Sequence, residues 1–327
     1  MSAAAKISAR LDGRPVIVVG RAGMDLYPLP DGSTIETATS FVSDVGGSAG
    51  NIAVAVARLG GKATLLSAFS DDAIGRFVIA RRRNYGVDTA HCRTLSGLER
   101  TSLAMAESRA DAPSVVIYRN NAADLGITAE QVNAIDPDAT GAIIITGTAL
   151  SREPSRHACR LLTERADAAG CPVILDIDYR PQAWESSNEA ADVLGDLAQR
   201  ADMVVANDEE FDVVAAGEGQ GLARSLADRG ALVLYKMGRG GCDILDQGET
   251  THVGIFEVTA LKPFGAGDAF LGGVMSSLAD GLDIAAAVRR GAAAAAMVVS
   301  RRGCASAMPD RAALNQFMAG NDTATEN

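Results

Sequence analysis

The sequence predicts an α/β fold with a doubly wound, mostly parallel sheet and a small β-sheet lid. Short runs rich in Val and Ile alternate along the chain with Ala-rich stretches of helical period, which is the pattern of parallel strands with crossover helices. The runs show little alternation of polar and apolar residues, as expected of strands covered on both faces. The predicted strands lie at residues 15–20, 141–147, 171–178, 202–208 and 231–238, and the clearest helices at 51–60 and 155–170.

Two segments depart from this pattern and predict the lid. Residues 26–45 and 92–121 alternate polar and apolar residues between turn signals, which is typical of antiparallel strands. Because they flank the first helical stretch, we interpret them as two insertions in a single domain, residues 12–318, that together form a lid. Residues 319–327 are small and polar, and we predict a disordered tail there.

Composition and charge limit the classes of function. A net charge of -11 and a pI near 4.8 disfavour nucleic acids and anionic membranes as partners, because the protein repels phosphate groups. Five cysteines at wide spacing indicate neither a disulfide framework nor a zinc site, and the N-terminal region lacks the features of a secretory signal. We therefore expect a cytoplasmic protein that acts on a small molecule.

A glycine-rich turn at the start of a helix predicts an anion site. In GAGDAF, residues 265–270, the first backbone N–H groups of the helix have no partner within it, and glycine lets an oxyanion approach them. Asp268 lies beside this turn, where a carboxylate can accept the proton of an attacking hydroxyl. A helix cap with a tight turn is the structural alternative for the same residues.

Two further motifs are typical of a nucleotide and its metal ion. Lys236 and the glycines of KMGRGG, among them Gly238 and Gly241, form a second turn after a strand, which suits a nucleotide phosphate or ribose; a plain β-turn is the alternative. Asn207 and Glu210 lie one helical turn apart after another strand. Magnesium keeps most of its waters and needs few protein oxygens, so this pair predicts a magnesium site contacted through water.

Polar side chains near the N-terminus predict a sugar site. Asp25 and Asn51 follow apolar and glycine-rich segments, and a carboxylate with an amide can bind sugar hydroxyls through paired hydrogen bonds. The segment GRAGMD, residues 20–25, lacks the G-x-G-x-x-G spacing of a dinucleotide-binding turn. The sequence therefore favours a sugar over a dinucleotide at this end.

Taken in order, VGGSAGNIAVAVARLG, the Asn207 and Glu210 pair, KMGRGG and FGAGDAF resemble the ribokinase-like, or pfkB, family of carbohydrate kinases along nearly the whole chain. The resemblance implies a Rossmann-like core with a β lid, ATP with magnesium as the phosphoryl donor, and Asp268 as the base. It further implies that Gly265, Ala266 and Gly267 form an anion hole. By the same resemblance, Gly238 and Gly241 contact the nucleotide, and Asp25, Gly47 and Asn51 bind the sugar.

Within that family, the chain most resembles kinases of acidic keto-sugars. Residues 176–181, DIDYRP, resemble such enzymes, and IYRNNAADL, KPFGAGDAF and SRRGCASAMP are most similar to members that act on 5-dehydro-2-deoxygluconate in inositol catabolism. A guanidinium offers a planar fork for a carboxylate, which favours Arg180 as the group that binds the acid. We also place Asp178 at this site and expect Tyr118 and Arg119, on a lid strand, to close over the substrate.

Three other functions stay open at the level of the sequence. A 2-keto-3-deoxygluconate kinase shares most of these motifs. A fructokinase or ribokinase has no substrate carboxylate for Arg180, and a non-catalytic sugar-binding regulator has no need of Asp268 as a base. Because edge strands of a β lid are frequent pairing surfaces, a homodimer is also expected.

Two positions depart from the family pattern. Many relatives have an Asp-Thr pair before the glycines, where the acid supports a monovalent cation, whereas this chain has Lys262, Pro263 and Phe264. We hypothesise that the Lys262 ammonium substitutes for that cation, which predicts activity without potassium. Ala292 stands where such relatives often have Asn near the nucleotide base, so the preferred donor nucleotide stays open.

Overall fold

A computed structural model describes residues 2–322. The strands are β1 (Val16–Val19), β2 (Gly23–Leu29), β3 (Ser40–Gly46), β4 (Ala63–Leu66), β5 (Ala68–Ser70), β6 (Arg93–Leu95), β7 (Leu103–Ala106), β8 (Val115–Tyr118), β9 (Ala142–Thr146), β10 (Val173–Asp176), β11 (Met203–Asn207), β12 (Leu232–Lys236), β13 (Cys242–Asp246) and β14 (Glu249–Val253). The α-helices are α1 (Ala3–Leu11), α2 (Ser48–Arg58), α3 (Ala73–Asn84), α4 (Ala129–Asn133), α5 (Ser155–Ala168), α6 (Ser187–Ala198), α7 (Asp208–Val214), α8 (Gly219–Asp228), α9 (Ala266–Ala279), α10 (Ile284–Val299) and α11 (Arg311–Asp322).

The central sheet is mostly parallel. Its eight strands have the order β14-β13-β12-β11-β10-β9-β1-β4, and every pair from β12 to β4 is parallel. The antiparallel pairs β12–β13 and β13–β14 form one edge. Strands β1, β4, β9 and β10 are buried along their whole length, which explains why their sequences are continuous apolar runs. The predicted doubly wound α/β sheet is confirmed.

Helices cover both faces of this sheet. One buried cluster contains residues of α1, α2, α3, α9, α10 and α11, and a second contains residues of α4 to α8. The domain boundaries predicted at 12 and 318 therefore need correction, because α1 buries Ile7 and Leu11 in the first cluster and α11 continues through residues 319–322. Residues 323–327, the rest of the predicted tail, lie outside the described residues.

A separate four-stranded sheet has the order β3-β2-β7-β8. Its strands come from the two segments that the sequence analysis assigned to a lid, although β2 begins at Gly23, ahead of the expected start. Strands β2 and β3 pair antiparallel, as do β7 and β8. No helix within residues 2–322 is long and apolar enough to cross a membrane.

Candidate active site

A cavity of about 1230 Å³ lies between the carboxyl ends of the central strands and the lid sheet. Thr148, Asp178 and Asn207, which follow or end β9, β10 and β11, line it on the side of the core. Strands β7 and β8 line the lid side, and the first turns of α2 and α9 contribute Asn51 and Asp268. Ligands of open α/β sheets bind beyond the carboxyl ends of the strands, so this cavity is the candidate active site.

The start of α9 has the properties of an anion site. Gly265 precedes the helix with φ of +80°, a conformation that favours glycine, and a Cβ there would lie 3.1 Å from Cys304 Sγ. Ala266 and Gly267 begin the helix, where backbone N–H groups lack intrahelical partners. Lys236 Nζ is 3.4 Å from the position a Cβ on Gly267 would take. A helix N-terminus beside an ammonium group suits a phosphoryl group.

Helices α2 and α9 bring Asn51 and Asp268 into contact. The helices approach so closely that a Cβ on Gly272 would lie 2.3 Å from Ala55 Cβ. Asn51 Nδ2 donates to Asp268 Oδ2 at 2.8 Å. Burial raises the pKa of Asp268 to about 6, although this hydrogen bond acts to lower it. With a pKa near 6, the carboxylate is mostly ionised at pH 7 and can accept a proton, as a general base requires.

Lys236 is accompanied by an acid that the sequence analysis did not assign. Burial alone would lower the pKa of Lys236, but Asp176 and Glu210 raise it above its ordinary value. Asp176 is the last residue of β10 and is buried. Its position at the carboxyl end of a strand was the signal that could have identified it.

The glycines assigned to the nucleotide lie outside the cavity lining. Gly238 begins a short 3-10 turn after β12. Gly241 has φ of +84°, and a Cβ there would lie 2.4 Å from the carbonyl oxygen of Val253. This close approach to β14 is a packing reason for glycine at that position, and a nucleotide contact stays a prediction.

Asn207 and Glu210 form a capping box at the start of α7. Asn207 Oδ1 accepts from the Glu210 N–H at 2.7 Å, and Glu210 Oε2 accepts from the Asn207 N–H at 2.9 Å. Glu210 Oε1 also accepts from the Tyr179 N–H at 3.2 Å. Both side chains line the cavity, so they can contact a hydrated cation there, but each already has a structural partner.

Asp25, Gly47 and Asn51, the residues that the resemblance assigns to the sugar, line the cavity together, and the sugar contact stays a prediction. Burial raises the pKa of Asp25, and Tyr27 Oη donates to its Oδ2 at 3.0 Å. Asp25 Oδ1 and Asn51 Oδ1 are buried without a hydrogen-bond partner in the structure. Asp25 Oδ1 lies 3.9 Å from Arg21 Nη2, whereas Asn51 Oδ1 has no partner among the described residues, and a buried acceptor without a partner is suited to a donor from a ligand.

Asp178 and Arg180 form an ion pair at the cavity rim. Arg180 Nη2 is 2.9 Å from Asp178 Oδ1, and Thr148 Oγ1 donates to Asp178 Oδ2 at 3.1 Å. Asp178 is buried, whereas 53% of the Arg180 side chain is exposed. The guanidinium is thus anchored on one side and open to the cavity on the other.

The two lid residues predicted to close over the substrate have different positions. Arg119 lines the cavity, but its Nε and Nη2 donate to Asp124 Oδ2 and its Nη2 also donates to the Thr148 carbonyl at 3.1 Å. Its Nη1 is buried without a partner. Tyr118 lies outside the lining and is 56% exposed, so the structure does not bring it to the site. Tyr118 is the last residue of β8, whereas Arg119 lies just after the strand and is held towards the cavity by Asp124 and Thr148.

The fold, the anion turn and the partly buried carboxylate of Asp268 together define an enzyme that transfers a phosphoryl group to a hydroxyl. A family model described as "pfkB family carbohydrate kinase" matches residues 14–311. The chain belongs to the pfkB family of carbohydrate kinases, and the resemblance seen in its motifs is confirmed.

Curated relatives and solved structures agree with this assignment. The chain is 38% identical over 323 residues to a 5-dehydro-2-deoxygluconokinase of Photobacterium profundum, covering 96% of this chain and 97% of the relative. It is 36% identical to the enzyme of that name from Geobacillus kaustophilus, with 92% of each covered. Among solved structures, a fructokinase of Xylella fastidiosa with bound ATP has a TM-score of 0.83 at 26% identity, covering 95% of this chain and 99% of that one. A PfkB protein of a Polaromonas species has a TM-score of 0.79 at 31% identity, covering 92% and 99%.

Proposed function

We propose that this protein is an ATP-dependent kinase of 5-dehydro-2-deoxygluconate, an acidic keto-sugar, and that it phosphorylates the terminal hydroxyl. The observation that carries the proposal is the near full-length match to relatives of that name at 32–38% identity. The cavity supports it independently, because the partly buried carboxylate of Asp268 and the guanidinium of Arg180 line the same space.

Magnesium-ATP is the proposed donor. ATP is the ligand of a structurally similar fructokinase, and the N-terminus of α9 with Lys236 fits a phosphoryl group. The Asn207 and Glu210 oxygens are engaged by backbone N–H groups, so they would contact magnesium through its waters. Magnesium bound in this way would neutralise part of the negative charge on the β- and γ-phosphoryl oxygens.

The acceptor hydroxyl is activated by Asp268. With the sugar hydroxyls bound by Asp25 and Asn51, the terminal hydroxyl lies beside the Asp268 carboxylate and attacks the γ-phosphorus in line. Asp268 accepts the hydroxyl proton as the new O–P bond forms and the bond to ADP breaks. The N–H groups at Gly265, Ala266 and Gly267 stabilise the charge on the equatorial oxygens.

The substrate carboxylate is bound by Arg180. Half of this side chain is exposed to the cavity mouth while Asp178 fixes the other half, so one edge of the guanidinium is available to an acid. Arg119 adds a second N–H, since its Nη1 is buried at the cavity wall without a partner. A neutral sugar would leave both groups unused.

The test is an ADP-release assay with magnesium-ATP and four sugars: 5-dehydro-2-deoxygluconate, 2-keto-3-deoxygluconate, fructose and ribose. We expect the highest kcat/KM with the first. Preference for the second would keep the mechanism and change the substrate, and preference for fructose or ribose would refute carboxylate recognition. Binding of a sugar without ADP release would favour a non-catalytic regulator.

We also propose a homodimer in the cytoplasm. Strand β8 is an edge of the lid sheet, and its apolar side chains, from Val115 to Tyr118, are all exposed. An exposed apolar edge strand is a pairing surface. Light scattering during gel filtration measures the mass, and a monomer at micromolar concentration would exclude the dimer.

The proposed cytoplasmic location is supported by the cysteines of the described chain, which are all free thiols, as suits a reducing compartment.

A further inference from the structure

Lys262 has an unusual environment for a lysine. It lies between β14 and α9 in the chain, three residues before Gly265, and its relative exposure is 0%. Its Nζ donates to the carbonyl oxygens of Phe264, at 2.5 Å, and Val298, at 3.2 Å. No ion pair among the described residues includes it. A buried ammonium without a carboxylate is costly, and a structural role should offset that cost.

The two acceptors belong to parts of the site that must be aligned. Val298 lies in the last turn of α10, where carbonyl groups carry partial negative charge, and its carbonyl accepts from the Arg301 N–H at 3.2 Å as well as from Lys262. Phe264 is the residue before Gly265, so its carbonyl belongs to the peptide that leads into the anion turn. One ammonium group therefore links the carboxyl end of α10 to the turn at the start of α9.

The turn has little space to move around this link. A Cβ on Gly265 would lie 3.2 Å from Val298 Cγ1. Val298 is also the residue whose carbonyl accepts from the Lys262 ammonium. The backbone of Lys262 is also fixed, because its N–H donates to the carbonyl of Val299 at 3.1 Å. The position of Gly265 thus depends on contacts made by both the ammonium group and the backbone N–H of Lys262.

We propose that Lys262 is a positioning residue for phosphoryl transfer: its ammonium fixes the peptide before Gly265 and supplies a positive charge behind the anion hole. The inference rests on the proposed kinase function. It also gives a structural basis for activity without potassium, because carbonyl oxygens are the ligands a monovalent cation would use and an ammonium already occupies them.

The first experiment measures kcat and KM of the wild-type enzyme in potassium-free buffer, with choline as the replacement cation, and then with added potassium. We expect kcat to change by less than about twofold, since the cation position is filled. A several-fold stimulation by potassium would overturn the proposal. This measurement needs no variant, so it decides the matter even if substitutions at Lys262 prevent folding.

The second experiment uses Lys262→Met and Lys262→Ala, with Lys62→Met as the matched control. Lys62 also donates to a backbone carbonyl, that of Gly13, but it is exposed and outside the cavity. We expect Lys262→Met to lower kcat about tenfold or more with little change in the KM for the sugar, because the anion hole acts on the transition state. Unchanged kcat in Lys262→Met would refute the positioning role.

Chemical rescue separates this role from a general loss of stability. In Lys262→Ala, potassium or ammonium ions should restore part of kcat, whereas the control should not respond. Absence of rescue in a folded Lys262→Ala enzyme would contradict the proposed charge. If none of the tested sugars is phosphorylated, the proposed function fails, and the thermal midpoint still tests Lys262: potassium should raise it in Lys262→Ala and leave it unchanged in the wild type.

Discussion

The two ends of the cavity differ in how their charged groups are bound. At the phosphoryl end, Asp268 is partly buried and accepts from Asn51 on α2, and Lys262, which is buried behind this end, donates to the carbonyls of Phe264 and Val298. At the substrate end, Arg180 is half exposed and pairs with Asp178 from the same loop. The first set is fixed by the packing of the core, while the second can exchange partners when a ligand arrives.

This difference follows from what each end must do. A base and an anion hole act in every turnover and gain from being fixed in advance. A group that recognises a carboxylate must give up solvent or a protein partner in favour of the substrate, so partial exposure lets it do so at a small cost. Substitutions at the phosphoryl end should therefore lower kcat, and those at the substrate end should raise KM.

The largest effect is expected from Asp268→Asn. The amide keeps the shape but cannot accept the hydroxyl proton, so kcat should fall about 10³-fold while the affinity for ATP changes little. Single-turnover kinetics and nucleotide binding by calorimetry measure the two quantities. Asp192→Asn, an exposed acid on α6, is the control. Turnover equal to that of the wild type would remove Asp268 from the role of base.

Arg180→Met should raise the KM for the acidic sugar by about 30-fold, or about 2 kcal/mol, the low end for a charged pair because the side chain is half exposed. The kcat should change much less. Steady-state kinetics over a range of sugar concentrations test this, with Arg76→Met as the control for an exposed, paired arginine. A rise in the KM for ATP instead would assign Arg180 to the nucleotide.

Asn51→Ala should move the pH profile. Activity requires the ionised form of Asp268, so kcat/KM of the wild type should rise with pH through about 6. The Asn51 hydrogen bond favours the carboxylate, so its loss should raise the pKa of Asp268 and move this acid limb to higher pH. Asn133→Ala, at a remote contact with Arg165, is the control. If the acid limb of the pH profile stayed in place or moved to lower pH in Asn51→Ala, the titrating group would not be Asp268.

The smallest effect is expected from Tyr118→Ala. Tyr118 lies outside the cavity lining, so the KM for the sugar should change by less than about twofold. The same kinetic assay measures it. A large increase would mean that the lid moves enough on closure to bring Tyr118 to the substrate.

Local patterns were sufficient for much of the fold and part of the site. Buried parallel strands are apolar throughout and therefore visible in the sequence, and the turn before α9 is visible because Gly265 requires a left-handed conformation. Asp268 could be predicted for the same reason, since it lies in the first turn of the helix that this turn begins.

Contacts between distant segments could not be predicted in this way. Asn51 and Asp268 are 217 positions apart, and their hydrogen bond depends on how closely α2 and α9 pack. The hydrogen bond from Arg119 to the carbonyl of Thr148, 29 positions away, likewise depends on how the lid and the central sheet pack. Helix α1 was missed because a short amphipathic helix gives a weak pattern until the surface that it covers is known.

The most direct test of this account combines two enzymes with two substrates. The kcat/KM of the wild type and of Arg180→Met is measured with 5-dehydro-2-deoxygluconate and with the neutral ketose that has a hydroxymethyl group in place of the carboxylate. We predict that the wild type strongly prefers the acid and that Arg180→Met loses most of this preference while keeping its activity on the neutral ketose. Equal losses on both substrates, or a preference for the acid that survives the substitution, would contradict carboxylate recognition by Arg180.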